Sequence, residues 1–279
     1  MKKLMTTAIL KLIRPLNGMI GGVSVFIGGF LTHESIRNFC LFLACLVCFL
    51  IISAGNAIND FVDADMDKIN KPKRPIPSGK CTKGQVLIIS IILFTVGLVI
   101  SVKLGLQMFI ITLIASLLIL MYNFNLKKQG ISGNLLVAFL GGFPFVYGGI
   151  VLGKWVPTLI PFGFAFLLHF AREILKDIED IPGDKSMNSI SFPIKYGVRK
   201  ATLLSTITLS VLIGVTILPF VLYIYGLPYL IGVILCIDIP LGVIIYKLLK
   251  TERYVFSANK LLKFNMVIGL GILALGYYR

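Results

Sequence analysis

The sequence predicts an all-α, polytopic membrane protein with nine transmembrane helices around a central cavity, and three observations carry that prediction. Of its 279 residues, 57% are hydrophobic and only 14% charged, with a mean hydropathy of +0.94, whereas a soluble domain carries roughly 25% charged residues. The apolar residues gather into nine runs of about 20, the length of helix that crosses a hydrocarbon core ~30 Å thick. Finally, 27 Lys+Arg stand against 12 Asp+Glu, and the bases collect between alternate runs, as expected for loops facing an anionic inner leaflet. A water-soluble globule and a disordered chain are excluded. The net charge of +15 is thereby a membrane-surface signal, and no nucleic-acid partner is expected.

The runs are 15–32, 36–59, 84–103, 105–124, 132–152, 156–175, 201–225, 228–248 and 260–277. The first opens on Arg14-Pro15 and lacks a small-residue cleavage site after it, so it reads as a span and not a removable leader. Ahead of it, residues 1–13 set Lys2, Lys3 and Lys11 beside Leu4, Ile9, Leu10 and Leu12, the composition of an amphipathic lead-in lying in the interface. An inner N-terminus makes segments 1–15, 60–83, 125–130, 172–200 and 247–263 cytoplasmic, with 23 of the 27 bases; the other face receives Arg37, Lys103, Lys154 and Arg279. Inner stretches 60–83 and 177–200 are long and rich in Gly, Pro and charge, while Gly153-Lys154-Trp155 and residues 225–228 are tight outer turns. Function is expected on the long-loop side. The glycine pairs Gly21-Gly22, Gly28-Gly29, Gly141-Gly142 and Gly148-Gly149 predict close helix packing, and Cys45 and Cys48 read as small packed hydrophobes.

Nine of the twelve acids lie in two windows, 56–67 and 172–184, and both windows contain D-x-x-D-x-x-x-D, as Asp60/Asp63/Asp67 and Asp177/Asp180/Asp184, offset by 117 residues. On a helix, positions i, i+3 and i+7 fall within about 60° of one another. Asn56 and Glu173 extend the two stripes by one turn, while Asp65 and Glu179 point elsewhere, towards solvent. Like charges at a helix C-terminus repel each other and oppose the helix dipole, so stripes of this kind imply a cation between them. Oxygen-only ligands without His or Cys suit Mg²⁺ or Mn²⁺ rather than zinc. Lys71, Lys73, Arg74, Lys127, Lys128, Arg172 and Lys176 stand near enough to complete a diphosphate site, with Arg14 and Asn17 at the same face of the first span. Three prolines stiffen the strap 71–79.

These residues resemble the UbiA superfamily of intramembrane prenyltransferases. Its first signature is met by Asn59-Asp60-x-x-Asp63-x-x-x-Asp67 and its second by Asp177, Asp180 and Asp184, while Tyr122-Asn-Phe-Asn-Leu-Lys127 matches the Tyr and Lys after the fourth helix. The resemblance covers the whole chain, 1–279, as one domain. Within the superfamily, the run from Asn59 to Gly79 and Arg172-Glu-Ile-Leu-Lys-Asp-Ile-Glu-Asp are most similar to archaeal digeranylgeranylglyceryl phosphate synthases.

What the resemblance implies is Mg²⁺-dependent transfer of a geranylgeranyl group from its diphosphate to the hydroxyl of geranylgeranylglyceryl phosphate. Asp60, Asp63, Asp67, Asp177, Asp180 and Asp184 would hold the metal. Asn59, Arg74, Lys127, Lys176, Arg172, Tyr122, Arg14 and Asn17 would contact the diphosphate. Phe143, Phe145, Tyr147, Phe164 and Phe170 are expected to line a water-poor chamber for the cationic carbon. A UbiA-type enzyme with an aromatic acceptor is the nearer alternative, and a divalent-cation transporter the more distant one. His169 falls on the Glu173 stripe, a place for an acceptor-side role, and Asp238 reads as a buried hydrogen-bonded group or part of a tunnel wall.

Overall fold

The computed structural model describes residues 2–34, 38–186, 189–251 and 254–276, with their side chains except those of 2–6, 38 and 128. These residues are helical with no strand. Two helices, α1 (Lys2–Ile13) and α2 (Pro15–Phe30), meet at a bend and precede α3 (Asn38–Val62), the short α4 (Asp67–Asn70), α5 (Lys83–Val102) and α6 (Leu106–Phe124). A 3-10 turn at Leu126–Lys128 leads into α7 (Ile131–Val151) and α8 (Leu159–Ser186). The short α9 (Phe192–Tyr196), α10 (Val198–Val221), α11 (Leu227–Val233), α12 (Ile239–Lys250) and α13 (Val255–Leu275) follow, with a π-helical turn, Ile234–Asp238, joining α11 to α12.

Among the described residues, eight helical segments are long and apolar enough to cross a membrane, and Thr7–Ile13 with Pro15–Phe30, bent by 44°, make a ninth. The expected span ends 36 and 277, with Arg37 and Arg279, lie outside the described residues. Two boundaries differ from expectation for identifiable reasons. The α1 segment packs on the bundle: Ala8 and Leu12 are buried with Ala57 and Val86 against α3 and α5. The bend falls at Arg14, whose φ of 47° is left-handed. Pro15 disfavours the helical conformation in the residue before it.

The second departure is α8, expected to stop near residue 175, which runs unbroken to Ser186 through Pro182. Proline removes a backbone donor from a helix. Here Asn70 reaches across from α4, its amide donating to the Asp180 carbonyl (3.0 Å) and its carbonyl accepting from the Gly183 N–H (2.9 Å). Gly183 is required there, because a Cβ would overlap the Asn70 side chain.

Helix α2 packs on α3 and α7, α7 on α8, and α8 on α10 and α13. Contact between α2 and α7 is backbone to backbone: a Cβ on Gly28 would strike the Phe145 carbonyl, and one on Gly148 the Val25 carbonyl. The outward faces carry exposed Ile88, Ile91 and Val99 on α5 and Ile207 and Val211 on α10, which is the surface a lipid solvent asks for.

Candidate active site

The first triad sits where α3 ends. The chain leaves helical geometry at residues 63–66 and re-enters it at Asp67, so the three carboxylates do not share one continuous helix. The i→i−4 bonds survive the break, with Asp63 N–H donating to the Asn59 carbonyl and Asp67 N–H to that of Asp63, which keeps the side chains together. Asp60, Asp63 and Asp67 are all buried. On α8, Asp180 and Asp184 are buried and Asp177 half-buried.

Each cluster is met by bases from distant elements. Asp60 pairs with Arg14 and, at 3.1 Å, with Arg74, which also holds Asp67. Asp63 pairs with Lys127, and Asp180 with Lys71 at 2.6 Å. Asp177 accepts from the Asn134 amide at 2.9 Å. Burial pushes the Asp67 carboxyl above its ordinary value, against the pull of Arg74, and burial pulls Lys71 down. Exposed Asp65 is held at about 2 by hydrogen bonds from Lys68 and Lys83, and it faces solvent as its position in the stripe predicts. Glu179 does not: it is half-buried and accepts from Asn259 of α13 at 2.8 Å.

The two windows meet. Lys71, which follows α4, bonds the α8 carboxylate Asp180, Asn70 clamps the same turn, and Asp184 lies within electrostatic range of Lys127 and Asp63. Among the described residues no three carboxylates converge on one point, because a lysine or arginine stands between them. Two carboxylate oxygens, Asp60 Oδ2 and Asp67 Oδ1, are nonetheless buried without a hydrogen-bond partner.

Beside this junction opens a cavity of about 410 Å³, within the usual ~300–1,000 Å³ of ligand sites. Its polar end holds Arg14, Asn17, Asn59, Tyr122, Arg172 and Lys176, all expected in the site, and the aspartates lie directly beyond, Asp60 next to Asn59 and Asp177 next to Lys176. The rest of the wall is apolar and includes Phe143, Phe145, Tyr147 and Phe164. Phe170 is not part of it; it is buried with Ala138, Ile174 and Ala201 on the opposite face of α8. Arg74 and Lys127 stand outside the cavity, on the carboxylates. The Lys128 side chain lies outside the described residues. Asp238 is a buried hydrogen-bonded group, accepting from Thr216 at 3.0 Å, and Thr216 itself lines the wall.

Spacing did not single out Asn70, Asn134 or Lys263. The first two are neutral residues whose role depends on a helix far away in the chain, and Lys263 is one base among many on the inner face. Its Nζ donates to Asn17 Oδ1 at 2.7 Å, a contact between residues 246 apart.

Comparison with known proteins places the chain and its fold. The chain is 38% identical over 268 residues to a digeranylgeranylglyceryl phosphate synthase of Methanococcus aeolicus, covering 92% of each chain. It is 38% identical over 272 residues to one of Sulfurisphaera tokodaii, covering 96% of each. A solved structure from work on digeranylgeranylglyceryl phosphate synthase in membranes superposes with a TM-score of 0.76 at 34% identity, covering 98% of both chains. A UbiA homologue from Archaeoglobus fulgidus, solved with GPP and Mg²⁺ bound, shares the fold with a TM-score of 0.65 at 17% identity, covering 97% of this chain and 98% of its own. The UbiA prenyltransferase family pattern matches residues 22–267. A multi-pass membrane protein with two joined acidic clusters at the polar end of an apolar cavity, this chain belongs to the UbiA prenyltransferase family.

Proposed function

We propose that residues 1–279 act as one prenyltransferase domain. Its reaction is Mg²⁺-dependent transfer of a geranylgeranyl group from geranylgeranyl diphosphate to the free hydroxyl of geranylgeranylglyceryl phosphate, forming the second ether of an archaeal membrane lipid. The observation that carries this reading is the junction of two acidic clusters with an apolar chamber. One part suits a diphosphate and its counter-ions, the other a prenyl tail. The names of relatives 38% identical over nearly the full chain favour the lipid-phosphate acceptor over an aromatic one. The GPP and Mg²⁺ bound to the A. fulgidus homologue support the donor class and weigh against a cation transporter.

The residues present fit Mg²⁺. Their donors are all oxygens, and two buried carboxylate oxygens have no other partner. Asp60, Asp63, Asp67, Asp177, Asp180 and Asp184 would hold the metal, which when bound neutralises diphosphate oxygens and so improves the leaving group. The chain's own cations do related work. Arg14, Arg74, Lys127 and Lys176 bring positive charge to the diphosphate as the allylic C1–O bond breaks and its electron pair stays with the leaving oxygen. Asn59 and Tyr122 give that end of the cavity neutral polar contacts. The aromatic wall excludes water and presents ring faces to the positive carbon. The acceptor hydroxyl oxygen then bonds C1, and its proton passes to the diphosphate or to a carboxylate oxygen. The excess of lysine and arginine in the loops around this site supports a cytoplasmic position for it.

Purified protein in nanodiscs, supplied with geranylgeranyl diphosphate and Mg²⁺, is expected to convert geranylgeranylglyceryl phosphate to the diether phosphate and to leave 4-hydroxybenzoate unprenylated. Prenylation of the aromatic acid without diether formation would reassign the acceptor.

A further inference from the structure

We propose that Lys263, Arg172 and Asn17 form a second anion site, which holds the phosphate of the acceptor lipid separately from the diphosphate of the donor. The inference rests on the lipid-phosphate acceptor proposed above. Lys263, on α13, is half-buried among membrane helices. Among the described residues it pairs with no carboxylate; its one hydrogen bond goes to the neutral Asn17 side chain of α2 at 2.7 Å. Its charged neighbours are Arg172 and Arg14. Arg172 donates to Glu173 at 3.2 Å, but its Nε is buried with no partner. Lys176 shares the same carboxylate at 2.8 Å. Asn17, Arg172, Glu173, Lys176 and Lys263 all line the one cavity.

The two sides of the cavity's polar end therefore differ in the charge they leave unpaired. On the aspartate side Arg14, Lys71, Arg74 and Lys127 pair with Asp60, Asp180, Asp67 and Asp63, and Asp177 and Asp184 add carboxylates with no ion-pair partner among the described residues, which calls for a cation. On the α8–α13 side Arg172 and Lys176 both bond the carboxylate of Glu173, with Glu179, Asp177 and Asp180 in electrostatic range, while Lys263 bonds no carboxylate, which leaves an ammonium to meet an anion. Uncompensated cations at membrane depth are costly and mark ligand sites. An ammonium without a carboxylate partner beside a guanidinium with a free N–H suits the oxygens of a phosphate monoester, which carries about −1.5 to −2 at pH 7. Arg172 and Asn17, which spacing groups with the diphosphate contacts, belong on this reading to the second phosphate. A lipid phosphate fits better than free phosphate because the apolar wall continues directly below these residues.

The test is binding measured calorimetrically in nanodiscs with excess EDTA, so that the metal-dependent diphosphate site does not assemble. Wild type is expected to bind geranylgeranylglyceryl phosphate at least about tenfold more tightly than geranylgeranylglycerol, which lacks the phosphate. Lys263→Met, which keeps the apolar stem, should remove that preference, and Lys263→Arg should restore it. In turnover, Lys263→Met should raise the KM for the acceptor about tenfold or more while leaving the KM for geranylgeranyl diphosphate within about twofold. Equal binding of the phosphate lipid by wild type and Lys263→Met, a KM rise confined to the diphosphate, or displacement of the lipid by inorganic phosphate would each overturn the proposal. Lys263-dependent binding without any prenylation of that lipid would leave the anion site standing and sink the acceptor assignment instead.

Discussion

Asp63 and Asp180 occupy the same register in the two motifs, and each is neutralised by a lysine from a distant part of the chain, Lys127 and Lys71. Removing one member of a buried ion pair strands the other charge, at a cost of ~3–5 kcal/mol, so amides of the same shape test the chemistry better than alanine does. Asp63→Asn and Asp180→Asn are each expected to lower prenyl transfer by about a hundredfold or more; the amide keeps the packing but leaves the lysine without its counter-charge, so a cooperative melt at a lower temperature than wild type is expected. Asp65 is the internal control: half exposed and paired only with Lys68 and Lys83 at the surface, it should tolerate Asp65→Asn with unchanged turnover, since exposed pairs contribute ~0–1 kcal/mol. Loss of transfer in Asp65→Asn with retention in Asp63→Asn would invert the assignment. At this scale the sequence shows the aspartates, because spacing alone makes a stripe. It does not show their partners. Glu179 lies on a side of α8 that spacing assigns to water, and only the arrival of Asn259 from α13 turns it inward.

At the scale of elements, hydropathy places the spans because a membrane helix must be apolar for about 20 residues, and that constraint is local. Where local rules fail, a neighbouring element has intervened. Helix α8 continues past Pro182 where Asn70 serves its backbone, and α1 packs on the bundle through Ala8 and Leu12, buried with Ala57 and Val86. The Gly28-Gly29 and Gly148-Gly149 pairs foretell tight packing, yet which helices they join is visible only in the fold, where α2 and α7 touch backbone to backbone. Gly148→Ala would push a methyl into the Val25 carbonyl, and overpacking of this kind costs typically ~1–3 kcal/mol. A lower melting temperature in nanodiscs is therefore expected, read by intrinsic fluorescence or differential scanning. Gly163→Ala, on α8 with nothing within 4 Å of the added Cβ, should melt at or slightly above wild type, because replacing glycine in a helix removes freedom mainly from the unfolded chain. Equal melting of the two variants would mean that α2 and α7 separate more easily than their contact suggests.

For the whole molecule, the cavity assembles residues from α2, α3, α6, α7, α8, α10, α11 and α13, and no sequence window contains more than a fraction of it. Lys263 is the clearest case: its meaning comes from Asn17 at the other end of the chain. Charge is distributed over the molecule on the same plan, with the two aspartate triads joined at one end of the bundle and an apolar belt around it. That layout makes two global predictions. EDTA should abolish transfer reversibly, Mg²⁺ restoring it, because the acidic excess of the joined clusters has no other means of holding a polyanion. The second concerns orientation. If the basic loops face the cytoplasm, Lys68, exposed just after the first triad, and Lys154, exposed in the turn after α7, lie on opposite sides of the membrane. In a variant lacking native cysteines, Lys68→Cys should react with a membrane-impermeant maleimide in inverted vesicles and not in right-side-out ones, and Lys154→Cys should do the reverse. Neither position touches the carboxylate clusters, so both variants should keep transfer activity and report on folded protein. Labelling of Lys68→Cys from the outer side would turn the bundle over, placing the diphosphate site away from the compartment that the distribution of arginine and lysine assigns to it.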